Sequence, residues 1–140
     1  MDINQLYEIY LKNPNVCTDT RKISDNCLFF ALKGDRFNGN EYALKALELG
    51  ASFAIVDDKT IKNDSRLIFV NDVLTTIQEL ARYHRLQLNI PVLGITGSNG
   101  KTTTKELSRE VIKQKYKVKA TIGNLNNHIG VPLTILSIKQ

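Results

Sequence analysis

The stretch Val92-Leu93-Gly94-Ile95-Thr96-Gly97-Ser98-Asn99-Gly100-Lys101-Thr102-Thr103-Thr104 decides the architecture. A short apolar run leads into a turn with two glycines, and the turn opens a helix. Strand, glycine turn and helix in that order begin a βαβ unit of a parallel sheet. Downstream, Lys101 to about Lys115 reads as the helix and Val118 to Thr121 as the following strand. The turn meets the physical needs of a phosphate cradle. Gly97 and Gly100 allow successive N–H groups to face one anion, and the helix start adds its positive dipole end. Lys101 is placed to reach the β- and γ-phosphates, and the Thr102 hydroxyl suits a magnesium ion. ATP and magnesium (Mg2+) are therefore the expected ligands. The expected nucleotide-binding residues are Gly97, Ser98, Asn99, Gly100, Lys101, Thr102 and Thr103; Lys101 and Thr102 are the catalytic candidates, and Thr102 is the metal ligand. The general phosphate-loop pattern wants glycine at Ile95, whereas here glycine stands one place earlier, at Gly94. A glycine turn without any ligand is the competing structural reading.

Working back from this stretch, Asn89-Ile90-Pro91 marks a boundary. Residues 1–88 read as a small α/β domain, and residues 89–140 as the incomplete start of a central domain. Ile3, Leu6, Tyr7 and Tyr10 have helical spacing, and Asn13-Pro14-Asn15 ends that helix. Val16-Cys17-Thr18 and Cys27-Leu28-Phe29-Phe30-Ala31-Leu32 read as strands, the second buried on both faces. The turn Asp19-Thr20-Arg21-Lys22 lies between them, and Lys33 to Asn40 forms a polar loop. A helix through Tyr42 and Leu47 stops at Gly50. Phe53-Ala54-Ile55-Val56 and Leu67-Ile68-Phe69-Val70 are further strands. The stripe Val73, Ile77, Leu80, Ala81, His84 and Leu88 marks a longer helix capped by Asn71 or Asp72. His84, on or beside that stripe, reads as a packed or half-exposed side chain without a functional role.

Composition narrows the class. The 140 residues are 42% hydrophobic and 24% charged, as in a soluble globular protein. No run approaches the roughly 18 apolar residues of a membrane span. The N-terminus lacks the pattern of a secretory signal, so a cytoplasmic location is expected. Cys17 and Cys27 are too few for a disulfide framework or zinc cage. Much of the net charge of +5 sits on Lys113, Lys115, Lys117 and Lys119. Only Tyr116 interleaves with these lysines, which reads as a solvated face and not as a nucleic-acid surface.

Phosphate-loop enzymes also need a carboxylate from a later strand to hold magnesium or its water. After Thr102 the only acidic residues are Glu106 and Glu110, both on the helix that the loop starts. The chain therefore reads as a fragment, inactive alone, whose parent runs on for further domains.

The run Gly94 to Thr104 resembles the ATP signature of the Mur ligase family, which displaces the first glycine in the same way. Asp19-Thr20-Arg21-Lys22, Leu28 to Gly39 and Gly50-Ala51-Ser52 are similar to the family's UDP-binding domain. Lys105-Glu106 and Thr121 to Thr134 favour the member that completes the peptidoglycan pentapeptide. The resemblance implies an ATP-dependent amide ligase of peptidoglycan synthesis and cell wall biogenesis. It would join D-alanyl-D-alanine to UDP-N-acetylmuramoyl-tripeptide through an acyl phosphate. Two alternatives stand beside it: the related ligase that adds the third amino acid to the dipeptide precursor, and a non-catalytic UDP-sugar-binding module. For the precursor, the resemblance implies Asp19, Thr20, Arg21, Lys33, Arg36, Phe37, Asn38 and Gly39, with Asn126 and Asn127 gripping the muramoyl or peptide part. Phe37 would offer a flat wall to uracil, and Arg21, Lys33 and Arg36 would offer charge to the diphosphate. Simple pairing of Asp19 with Arg21 across the turn is the structural alternative, as is plain loop formation by the asparagine pair. His128 stands where the family usually carries an acidic residue.

Overall fold

The computed structural model describes residues 1–35, 37–123 and 125–139. Four parallel strands form the central sheet in the order β1 (Asn15–Cys17), β2 (Cys27–Phe30), β5 (Phe53–Val56) and β6 (Leu67–Phe69). Between β2 and β5 lie a two-stranded antiparallel hairpin, β3 (Lys33–Gly34) with β4 (Phe37–Asn38), and the short helix α2 (Ala43–Glu48). Helix α1 (Ile3–Lys12) precedes β1, and α3 (Val73–Gln87) follows β6.

Side-chain alternation divides the core between the two faces of the sheet. Leu28, Phe30, Ile55 and Ile68 point to one face, where they pack with Leu6, Tyr10, Ile77 and Leu80 of α1 and α3. Cys27, Phe29, Ala54, Val56 and Leu67 point to the other, against Ala43, Ala46 and Leu47 of α2. Every residue of β2 is buried, as its unbroken apolar run requires of a strand covered on both sides. Asp72 caps α3, its carboxylate accepting from the Thr75 N–H at 2.6 Å.

The second half departs from expectation in its details. Helix α4 (Lys101–Ile112) forms where the phosphate-loop reading puts it. The flanking strands expected at Val92–Thr96 and Val118–Thr121 are not formed among the described residues. A helix closes its hydrogen bonds within its own segment, whereas a strand needs a neighbour, and no described residue pairs with either run. Val92 and Leu93 accordingly stay exposed, and α4 buries none of its residues.

A further helix, α5 (Gly130–Leu136), forms where the sequence reading places no element. It packs on α3 and touches β1, carrying Leu136 into the core of the sheet domain. His84 is where this join is made. It is 2% exposed and not merely packed, for its ring is hydrogen-bonded to Tyr7 Oη at 3.2 Å, Tyr10 Oη at 3.4 Å and the Ile138 carbonyl at 2.8 Å. Tyr10 Oη also donates to the Leu136 carbonyl at 2.7 Å.

Candidate functional site

All four sheet strands point the same way, so the turns that follow them gather at one edge. Open parallel sheets bind ligands at this carboxyl edge. After β1 comes the Asp19 turn, after β2 the β3–β4 hairpin, after β5 Asp57, and after β6 the cap of α3.

In the first turn, Asp19 caps a 3-10 turn over Thr20–Lys22 by accepting from the Arg21 N–H at 3.0 Å. The Arg21 guanidinium donates back to the same carboxylate, Nε at 2.9 Å and a terminal nitrogen at 2.7 Å. These bonds hold the Asp19 carboxyl down at about 2. Asp19 and Arg21 are thus paired with one another, while the Arg21 side chain remains 86% exposed.

The hairpin that follows β2 is braced from below. Gly39 lies so close to the link between β2 and β3 that a Cβ would stand 2.5 Å from the Leu32 carbonyl oxygen. The Gly39 N–H donates to that oxygen at 2.9 Å. Asn40 is 2% exposed and grips Asp57 from both sides. Its Nδ2 donates to Asp57 Oδ1 at 2.8 Å, and its Oδ1 accepts from the Asp57 N–H at 3.1 Å. The same Nδ2 also donates to Asn38 Oδ1 at 3.0 Å. Lys33 reaches Asp57 Oδ1 from the other end of the hairpin at 2.7 Å, and the Val73 N–H donates to Oδ2 at 3.2 Å. Burial pushes the Asp57 carboxyl up, but the bonds from Lys33, Asn40 and Val73 together hold it below the ordinary aspartate value.

On top of this brace is an open recess of about 400 Å³ whose lining includes Lys33, Phe37, Asn38, Glu41 and Tyr42. The Phe37 and Tyr42 rings stack at 5.4 Å between centroids and 14° between planes. Both are exposed, so a flat aromatic surface faces the recess. The structure brings Lys33, Phe37 and Asn38 together there; Arg36 lies outside the described residues. Tyr42 and Asp57 carried no signal in the sequence. One belongs to the end of a 3-10 turn and the other follows a strand, and only folding lays them against the hairpin.

The glycine turn before α4 is formed. Gly100 is the residue before the helix, with φ of +77°, a left-handed conformation that disfavours side chains. Lys101 stands at the first helical position, and its ammonium turns back over the loop onto the Gly97 and Ser98 carbonyls. The first N–H groups of α4 have no acceptor within the helix, which leaves them directed at whatever occupies the turn. Ser98, Asn99, Thr102 and Thr103 are exposed around it. Lys105, one turn further on, donates to the Thr121 carbonyl at 2.7 Å and the Gly123 carbonyl at 3.0 Å. It ties the segment after α4 back against the loop-bearing helix.

The asparagine pair divides. Asn127 Oδ1 accepts from the Ile129 and Gly130 N–H groups at 3.2 and 2.7 Å, so it secures the start of α5. Asn126 is exposed. The His128 carbonyl accepts from Gln78 Nε2 of α3 at 3.0 Å.

A left-handed glycine at the head of α4 and a braced recess at the carboxyl edge of a parallel sheet define an α/β protein with a glycine turn opening a helix. The chain belongs to the Mur ligase family: residues 14–96 match its catalytic domain, and residues 95–140 match the Mur ligase middle domain. It is 44% identical over 128 residues to the UDP-N-acetylmuramoyl-tripeptide–D-alanyl-D-alanine ligase of Bacillus subtilis, a match covering 89% of this chain and 28% of that protein. The corresponding Escherichia coli ligase is 40% identical over 123 residues, covering 88% of this chain and 27% of the relative. Among solved structures, the MurF ligase of Thermotoga maritima in complex with ADP superposes with a TM-score of 0.83 at 35% identity. That match covers 93% of this chain and 30% of the other. The chain thus spans about 28% of the length of the curated relatives it matches. Among the described residues, no helix is long and apolar enough to cross a membrane.

Proposed function

We propose that this chain is the precursor- and nucleotide-binding front of a ligase that joins D-alanyl-D-alanine to UDP-N-acetylmuramoyl-tripeptide, splitting ATP to ADP and phosphate. The observation that carries the reading is that one continuous similarity, 44% identical over 89% of the chain, takes in the sheet-edge loops and the glycine turn together. Residues 1–88 bind the precursor and residues 89–140 begin the nucleotide domain. A reaction that consumes ATP and a UDP-linked precursor belongs in the cytoplasm.

The terminal carboxylate of the tripeptide attacks the γ-phosphorus of ATP, and ADP leaves. The amine of D-alanyl-D-alanine then attacks the acyl carbon, and phosphate departs as the amide forms. The protein's part is positioning and charge neutralisation. Lys101 leaves the Gly97 and Ser98 carbonyls for the phosphates, which offer it full negative charge in place of two dipoles. N–H groups of residues 97 to 103 hold the β-phosphate. The donor set fits magnesium in part: Thr102 offers an exposed hydroxyl beside the turn, and no group of three or more acidic, histidine or cysteine residues that could hold a metal exists among the described residues. Thr102 would supply one ligand, and the ion would screen the phosphate charge. At the sheet edge, uracil lies on the Phe37 and Tyr42 rings with Asn38 at its polar edge. Arg21 meets the diphosphate only in competition with Asp19.

The test is a substrate panel on the complete gene product, with phosphate release as readout. Release should require both UDP-N-acetylmuramoyl-tripeptide and D-alanyl-D-alanine. Turnover with the dipeptide precursor and a diamino acid instead would reassign the chain to the neighbouring ligase of the family.

A further inference from the structure

We infer that Asp57 is the positioning residue of the precursor site, acting on the ligand through the hairpin that presents Phe37 and Asn38. The inference rests on the reading of that recess as the precursor site. Asp57 does not line the recess, and its side chain is 8% exposed. Its carboxylate nevertheless takes hydrogen bonds from three separate parts of the fold: Lys33 at the start of the hairpin, Asn40 just beyond its end, and the first N–H of α3. Lys33 pairs with Asn38 across the hairpin, and Asn38 is tied to Asn40, so the loop closes as a ring upon one carboxylate. The Gly39 backbone pressed against Leu32 removes the remaining slack. Without this clamp a polar hairpin with two residues per strand has little to fix its height above the sheet.

The clamp also reassigns Lys33. Its ammonium is held by a buried carboxylate, so Lys33 fixes the hairpin, and the recess is shaped for the pyrimidine and ribose more than for the diphosphate. Asp35 and Glu41 on the same lining argue in the same direction.

The experiment is calorimetric titration of the complete gene product with UDP-N-acetylmuramoyl-tripeptide and, separately, with ADP. Asp57→Asn keeps the shape and loses the charge. It should weaken precursor binding on the order of tenfold or more, as small misplacements of a positioned group do. ADP affinity should stay within about twofold, as expected for separate sites. Phe37→Ala tests the recess itself. The double variant Asp57→Asn/Phe37→Ala should bind the precursor little worse than the weaker single variant, because both changes remove the same contact; a merely destabilising Asp57 change would add to Phe37→Ala. Asn40→Ser, which loosens the same clamp from its partner, replaces Asp57→Asn if the latter does not fold. Full precursor affinity in the clamp variant alongside a weakened Phe37→Ala would overturn the positioning role alone. An unaffected Phe37→Ala would overturn the recess as the precursor site, and the inference with it.

Discussion

Lys101 and Asp57 show how one charge serves different ends according to what surrounds it. The Lys101 ammonium rests on two backbone carbonyls, partners that a phosphate readily displaces. Under the proposed ligase function, Lys101→Ala in the complete gene product should therefore lower turnover about 100-fold or more, the scale of losing one preorganised charge donor. Near-normal phosphate release from that variant would remove the glycine turn from the mechanism. Asp57 is held by Lys33, Asn40 and Val73, and its depressed pKa carries a signed consequence. A carboxylate whose folded pKa lies below its unfolded value of about 3.9 stabilises the fold above that pH and ceases to do so as pH falls through the folded value. Asp57→Asn should thus be less stable than the parent at neutral pH, with the gap closing below about pH 4. Melting temperatures of the two proteins between neutral and acid pH measure this, and parallel curves would contradict it.

At the scale of elements, the hairpin and α4 differ in what supports them. The β3–β4 hairpin sits on a backbone contact that admits no side chain, since a Cβ on Gly39 would meet the Leu32 oxygen at 2.5 Å. Gly39→Ala should cost about 1–3 kcal/mol, as forced overpacking does, read as a lower urea midpoint. An unchanged midpoint would mean that the hairpin lifts freely, and would weaken the case for a fixed recess. Helix α4 stands with its apolar residues Leu107 and Val111 exposed. Its existence was legible because the glycine turn ending at Gly100 marks where a helix starts, and a helix closes its hydrogen bonds within its own segment. The strands on either side were read from apolar runs, and such runs become strands only where a neighbour supplies hydrogen bonds. Helix α5 is not legible in the sequence, for the opposite reason. Its seven residues are too few to show a period, and the fold makes it a helix by docking Leu136 under α3.

Across the whole molecule, the join between the sheet domain and α5 is apolar at Leu136 and is locked by a buried polar cluster beside it. Tyr10 Oη bonds to the Leu136 carbonyl, and His84 bonds to Ile138 and both tyrosines. Tyr10→Phe would leave the buried Leu136 carbonyl without its donor, at a cost of about 1–3 kcal/mol. Hydrogen exchange at the Ser137 and Ile138 amides should quicken in that variant while β2 and β5 keep their protection; uniform acceleration would show that the cluster supports the sheet and not the join. The sequence by itself determined the elements whose causes are local. These are the capped α3, the glycine turn before Lys101 and the turn-forming residues between Lys33 and Asn40, because short-range sterics, periodicity and capping are written residue by residue. The tertiary structure alone decided that Asp57 meets Lys33 and Asn40, that Tyr42 stacks on Phe37, and that His84 joins α1 to α5. Each of those contacts spans segments whose approach is set by the parallel sheet and its two packed faces, and no local pattern encodes it.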